Sequence, residues 1–170
     1  AGVLLWSVAH LFKRIAPGPR ASMGNAGKAV MAVLIAASIY LMVQGYGAVA
    51  LSPDSVFWGR NPMLTGINNL LVLLAVYLMV ASVLRTGITG KIRHPQLTAV
   101  KSWAVGHLLV NGDVPSFILF GGLLAWAVVS VILIGKQDGK PPLQVSTTAV
   151  REVLAGIITV VAFGGIAFAH

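Results

Sequence analysis

The sequence predicts an all-α, polytopic integral membrane bundle of about six transmembrane helices, built as a single domain over residues 1–170. Three observations predict it. Hydrophobic residues make up 57% of the chain and charged residues only 9%, against roughly 25% charged residues in soluble domains. Apolar runs near the ~20 residues that cross a hydrocarbon core alternate with loops rich in Gly, Pro and charge. The net charge of +8 is scattered between those runs instead of forming a hydrophilic face, which suits a lipid bilayer as partner and argues against nucleic acid.

Taken in order, Ala1 to Phe12 is an apolar run closed by Lys13-Arg14. At about 1.5 Å per residue it is short for a core of about 30 Å, so a first span with further residues before Ala1 is expected. Its charge follows the apolar run instead of preceding it, unlike a signal peptide. Ala16-Pro17-Gly18-Pro19-Arg20 opens a loop to Lys28, and Ala29–Leu51 is the second span. Ser52-Pro53-Asp54 breaks that span, and a polar loop with an interfacial aromatic pair, Phe57-Trp58, follows. Leu64–Leu84 is the third span. Its adjacent Asn68 and Asn69 require at least one amide to face the bundle, because an unpaired amide in hydrocarbon costs several kcal/mol by order of magnitude.

Arg85 to Gln96 is a basic loop, and Pro95 suits the first turn of the next helix. Leu97–Val110 is the short fourth span, interrupted early by Lys101. An Asn111-Gly112-Asp113 turn leads to the fifth span, Ser116–Ile134, where Gly121-Gly122 admits close backbone approach. Lys136–Arg151 is the last loop and Val153–Ala169 the sixth span, with Gly156, Gly164 and Gly165 as its expected packing face. Loops one, three and five carry Lys13, Arg14, Arg20 and Lys28, then Arg85, Lys91, Arg93 and Lys101, then Lys136, Lys140 and Arg151, against Arg60 alone on the other side. The positive-inside rule makes the first set cytoplasmic.

The chemistry concentrates in two echoing stretches. Trp6-Ser-Val-Ala-His10-Leu matches Trp103-Ala-Val-Gly-His107-Leu, so two of only four tryptophans have a histidine four positions later on the same helical face. A small residue before each histidine would let a flat ligand approach. Counted from Lys13 and Lys101, His10 and His107 sit at one depth near the cytoplasmic side. Ionisable side chains inside spans are functional candidates, and two on different helices can supply opposed axial nitrogens to a b-type haem, with Arg14, Lys91, Arg93 and Lys101 near its propionates. Each histidine could equally hydrogen-bond a carbonyl in the bundle. His94 lies at a loop–helix junction, about 140° around an ideal helix from His107, and His170 is terminal. The absence of cysteine excludes disulfides and thiolate ligation, and no hydrolytic triad, carboxylate pair or phosphate loop is present.

Val8-Ala9-His10 followed by Lys-Arg and a Pro/Gly loop, then Arg93-His94-Pro95-Gln96-Leu97-Thr98, Trp103, His107-Leu108, Asn111-Gly112-Asp113 and Leu119-Phe120-Gly121-Gly122, closely resembles the NnrU family of membrane proteins. The resemblance implies a link to denitrification and nitric oxide metabolism in a bacterial inner membrane, with components of those pathways as partners. It also implies kinship with zeta-carotene isomerases, which hold haem b through histidines corresponding to His10 and His107. Trp6, Trp103, Arg14, Arg93, Lys101 and His94 then surround the cofactor. Those isomerases carry a cysteine where this chain has Ala104, so a thiolate mechanism for a polyene substrate cannot operate here. The Arg-His-Pro element also resembles the S-adenosylmethionine site of membrane methyltransferases, whose glutamate pair and closing aromatic segment this chain lacks.

Overall fold

The computed structural model describes residues 1–49, 53–139 and 147–169, so His170 and Lys140 lie outside the described residues. The described residues form seven α-helices: α1 (Gly2–Ile15), α2 (Pro17–Ser22), α3 (Gly24–Gly47), α4 (Pro62–Leu84), α5 (Pro95–Val110), α6 (Val114–Asp138) and α7 (Ala149–Ala169). The expectation of an all-α chain holds. Four of them, α3, α4, α6 and α7, are long and apolar enough to cross a membrane. With 14 and 16 residues, α1 and α5 reach only about 21 and 24 Å; they correspond to the first and fourth of the about six expected spans, the two expected to be short.

Local chemistry sets the boundaries. Asn61 caps α4 by accepting the Leu64 N–H at 2.9 Å, with Pro62 in the first turn. Pro95 opens α5 in the same way, because a proline there gives up no helical hydrogen bond. The α5 helix therefore begins before Lys101 and runs straight through it. The buried Asp113 caps α6 through the Ser116 N–H at 2.8 Å, a contact of the kind worth about 1 kcal/mol. The expected turn at residues 111–113 and the aromatic loop instead pair with each other: β1 (Val56–Trp58) lies antiparallel to β2 (Gly112–Asp113), with Trp58 opposite Gly112. Trp58 Nε1 donates to the Leu108 carbonyl at 3.1 Å.

The two ends of the bundle are tied differently. At one end, Arg14 of α1 pairs with Asp138 of α6 at 2.7 Å, and Gln137 Nε2 donates to the Arg14 carbonyl at 2.7 Å. Near the same end Glu152 of α7, the only glutamate, accepts from the Gly87 N–H and the Thr147 hydroxyl at 2.6 and 2.7 Å. At the other end Tyr46 of α3 meets the buried Ser116 of α6 at 2.9 Å. Between them, Ala75 and Leu78 of α4 bury against Ala99 of α5, and Ser102 donates to the Leu71 carbonyl at 2.8 Å. Large apolar side chains such as Val33, Leu70, Val83 and Val161 point outward, as lipid contact requires.

The glycines divide unexpectedly. A Cβ on Gly106 would lie 2.9 Å from Asn68 Oδ1, and one on Gly122 would lie 2.7 Å from Val3, so both are close-approach points. Gly121, Gly156, Gly164 and Gly165 face open space among the described residues, which corrects the expected packing face of the last helix. Of the amide pair, Asn68 carries the buried oxygen and Asn69 is exposed.

Candidate functional site

The Trp-x-x-x-His echo is repeated in three dimensions. His10 Nδ1 lies 3.0 Å from the Trp6 carbonyl, and His107 Nδ1 lies 2.9 Å from the Trp103 carbonyl. A carbonyl can only accept, so each Nδ1 carries its proton, and in the neutral form of such a ring the lone pair resides on Nε2. Histidines that ligate metals are oriented in this way. Each tryptophan also packs on its histidine, with ring centroids 4.0 Å apart in α1 and 4.9 Å in α5.

Two chambers separate the histidines. The inner one, about 660 Å³, is lined by Trp6, His10, Arg14, Arg93, His94 and Trp126, among others. The outer one, about 790 Å³, includes Tyr46, Asn68, Trp103, His107, Asn111 and Phe120 in its wall. An apolar slot of about 440 Å³ lies against both, sharing Trp6 and Trp126 with the first and Trp103 with the second. The structure thus brings His10 together with His94, not with His107. The equal depth expected from the sequence fails because Lys101 lies inside α5. His107 is about 18 Å along α5 from Pro95, whereas His10 is only about 8 Å from the end of α1. Lys101 is not in the wall of the inner chamber. The small residues before the histidines serve helix packing: Ala9 and Gly106 are both buried, and Gly106 abuts α4.

Two further aromatic residues belong to the site: Trp126, which lies in none of the sequence motifs, and Phe120, which lies in the Leu119–Gly122 stretch. Trp126 of α6 stands edge-on to both Trp6 and His10, at 5.4 and 5.0 Å. Its carbonyl accepts the Ser130 hydroxyl at 2.8 Å, so Trp-x-x-x-Ser is a third version of the echo with serine in place of histidine. Phe120 stacks on His107 at 4.6 Å and lies in a π-helical stretch of α6, Phe117–Gly121, the kind of local widening often found at functional sites. The indole nitrogens of Trp6 and Trp126 are buried without a hydrogen-bond partner among the described residues, at a cost of about 1–3 kcal/mol each.

Charge gathers at the mouth of the inner chamber. Arg14 is committed to Asp138 and to Gln137 at 2.7 and 3.3 Å, while Arg93 makes no ion pair among the described residues. Burial, followed by the nearby Arg93 and Lys101 charges, holds His94 below the ordinary histidine range, with Asp138 opposing. The unfolded chain therefore binds a proton that the folded protein resists below about pH 6.5. Stability is expected to be complete above that value and to fall as the pH drops beneath it. Thermal midpoints in detergent across pH 5–8 should show this slope in the wild type and a flatter one in His94→Gln.

Among the described residues no group of three or more His, Cys, Asp or Glu side chains gathers. A porphyrin iron asks only one or two axial nitrogens of the protein. The family model described as NnrU protein matches residues 1–170, the whole chain. The chain belongs to the NnrU family. No curated protein and no solved structure matches it. For this NnrU-family chain, Trp6, His10, Arg14, Arg93 and His94 converge on one chamber, while Trp103 and His107 line the other.

Proposed function

We propose that this NnrU-family protein binds b-type haem within a bacterial inner membrane and serves nitric oxide or denitrification metabolism. The observation that carries the reading is the repeated Trp-x-x-x-His unit, in which each Nδ1 is held by the carbonyl one turn back and each ring is backed by a flat indole. The donor chemistry fits haem: imidazole nitrogen for iron, aromatic walls for the macrocycle, and arginine at a chamber mouth for its acid groups. When bound, haem would supply one-electron or gas-ligand chemistry. The protein's part is to orient the imidazoles and to exclude water.

His10 and His107 are the axial pair that the family resemblance implies, and six alternating helices with the basic loops cytoplasmic are the topology proposed with it. A second reading has its own support: His94 shares the chamber of His10, so His10 with His94 is the alternative pair. Purification in mild detergent after expression with ample haem tests the function. A Soret band is the expected result. Colourless protein overturns it, and S-adenosylmethionine binding by such protein would move the assignment to methyl transfer.

A further inference from the structure

We propose that the outer chamber is a separate site for an anionic amphiphile drawn from the bilayer, with its acid head at Arg60 and Asn69 and its chain between α3 and α7. Arg60 is the only lysine or arginine in the connections at this end of the bundle, so the charge bias that fills the opposite loops does not account for it. Its backbone is held on both sides. Two residues before it, Trp58 donates to the Leu108 carbonyl at 3.1 Å and pairs with Gly112, where any side chain would run into the indole. One residue after it, Asn61 caps α4. Arg60 is thereby set in the wall of the chamber.

Other polar side chains in that wall are already engaged. Tyr46 shares a hydrogen bond with Ser116, and Asn111 donates to the His107 carbonyl. Asn69 and Arg60 make no hydrogen bond or ion pair among the described residues, and no Asp or Glu lines the chamber. Asn69 stands about 10 Å along α4 from Pro62, a depth at which an amide without a partner is costly. Its side chain leans toward the start of α4 and the arginine stem is long, so one head group can reach both. An oxyanion answers them together, accepting from the amide Nδ2 and from the guanidinium in the charge-assisted manner that gives strong bonds. The remaining wall suits a chain. Ile39 and Val43 of α3 and Phe163 and Ile166 of α7 line it. Because α3 packs chiefly on α1 and α7 on α4, helix packing does not close the side between α3 and α7 to lipid. Past Trp103 the chamber adjoins the apolar slot, which gives the chain further room.

Two lipid chemistries share such a head, a free fatty acid and a phosphatidic acid. The site needs no iron, and neither Arg60 nor Asn69 belongs to a candidate axial pair, so it stands or falls apart from the haem reading. Full-length protein purified in mild detergent is titrated with dibromostearate and with its methyl ester, whose bromines quench an indole that they touch. The acid is expected to reach half-quenching at a concentration at least about tenfold below that of the ester. Arg60→Gln and Asn69→Leu should each raise that concentration for the acid by about threefold to tenfold, and Arg60→Gln should leave the ester unchanged. Trp103→Phe, which removes the indole from the chamber wall, should remove most of the quenching. Dioleoyl phosphatidate that displaces the brominated acid assigns a phospholipid as a source, and phosphatidate that does not assigns the free acid alone; either result supports the site. Equal half-quenching by acid and ester, an acid curve that either head-group variant leaves unmoved, or quenching that survives Trp103→Phe overturns the inference.

Discussion

His10→Ala is expected to abolish the Soret band of protein purified with haem, with at least a tenfold fall in haem per chain by pyridine haemochrome assay. The effect is large because His10 belongs to both candidate axial pairs. Its imidazole is held by the Trp6 carbonyl at 3.0 Å and covered by Trp6 and Trp126. Alanine would remove the nitrogen while leaving the aromatic walls in place. The other two histidines then decide the partner. If the family pair holds, His107→Ala lowers the band comparably and His94→Ala spares it. If the shared chamber decides, the ranking inverts. A band that survives His10→Ala unchanged would remove α1 from the site altogether.

Membrane character was legible because composition alone carries it: so apolar a chain cannot hide its surface from water. Helix starts at Pro62 and Pro95 were legible to within a few residues because proline in a first turn has one strong meaning. Depth was not. A lysine usually marks an interface, yet Lys101 sits about two turns inside α5, where a long stem can carry its ammonium away from the apolar wall. A count from Lys101 puts His107 level with His10, whereas the helix start at Pro95 sets it about 9 Å deeper.

The strand pairing of Val56–Trp58 with Gly112–Asp113 left no trace in local pattern, since it joins segments more than fifty residues apart through two residues on one side. Trp126 is hidden in the sequence for a related reason. Its partner at the fourth position is serine, and only the shared use of the carbonyl one turn back reveals it as a member of the same set. The glycines mislead in the opposite direction: residue type showed where close approach is permitted, but only packing shows where it is used.

Gly106 supplies the sharper test of that distinction. Within helices alanine is favoured over glycine by up to about 1 kcal/mol. Gly66→Ala in α4, where an added Cβ meets nothing within 4 Å, should raise the thermal midpoint by about 2–4 °C. Gly106→Ala should reverse the sign. Its Cβ would press on Asn68 Oδ1 at 2.9 Å and Leu71 Cβ at 3.2 Å, at the seam where Ser102 and Ala99 also hold α5 against α4. Gly106→Leu should cost about 1–3 kcal/mol through overpacking, read as a lower midpoint in detergent. A rise in both Gly106 variants would show that the seam is not close-packed. The same substitution bears on the axial pair, because His107 is the next residue and must move with the displaced turn. With His107 as ligand, Gly106→Leu weakens the Soret band together with stability. With His94 opposite His10, stability falls while the spectrum of the folded fraction stays unchanged, since neither of those histidines lies on the displaced turn.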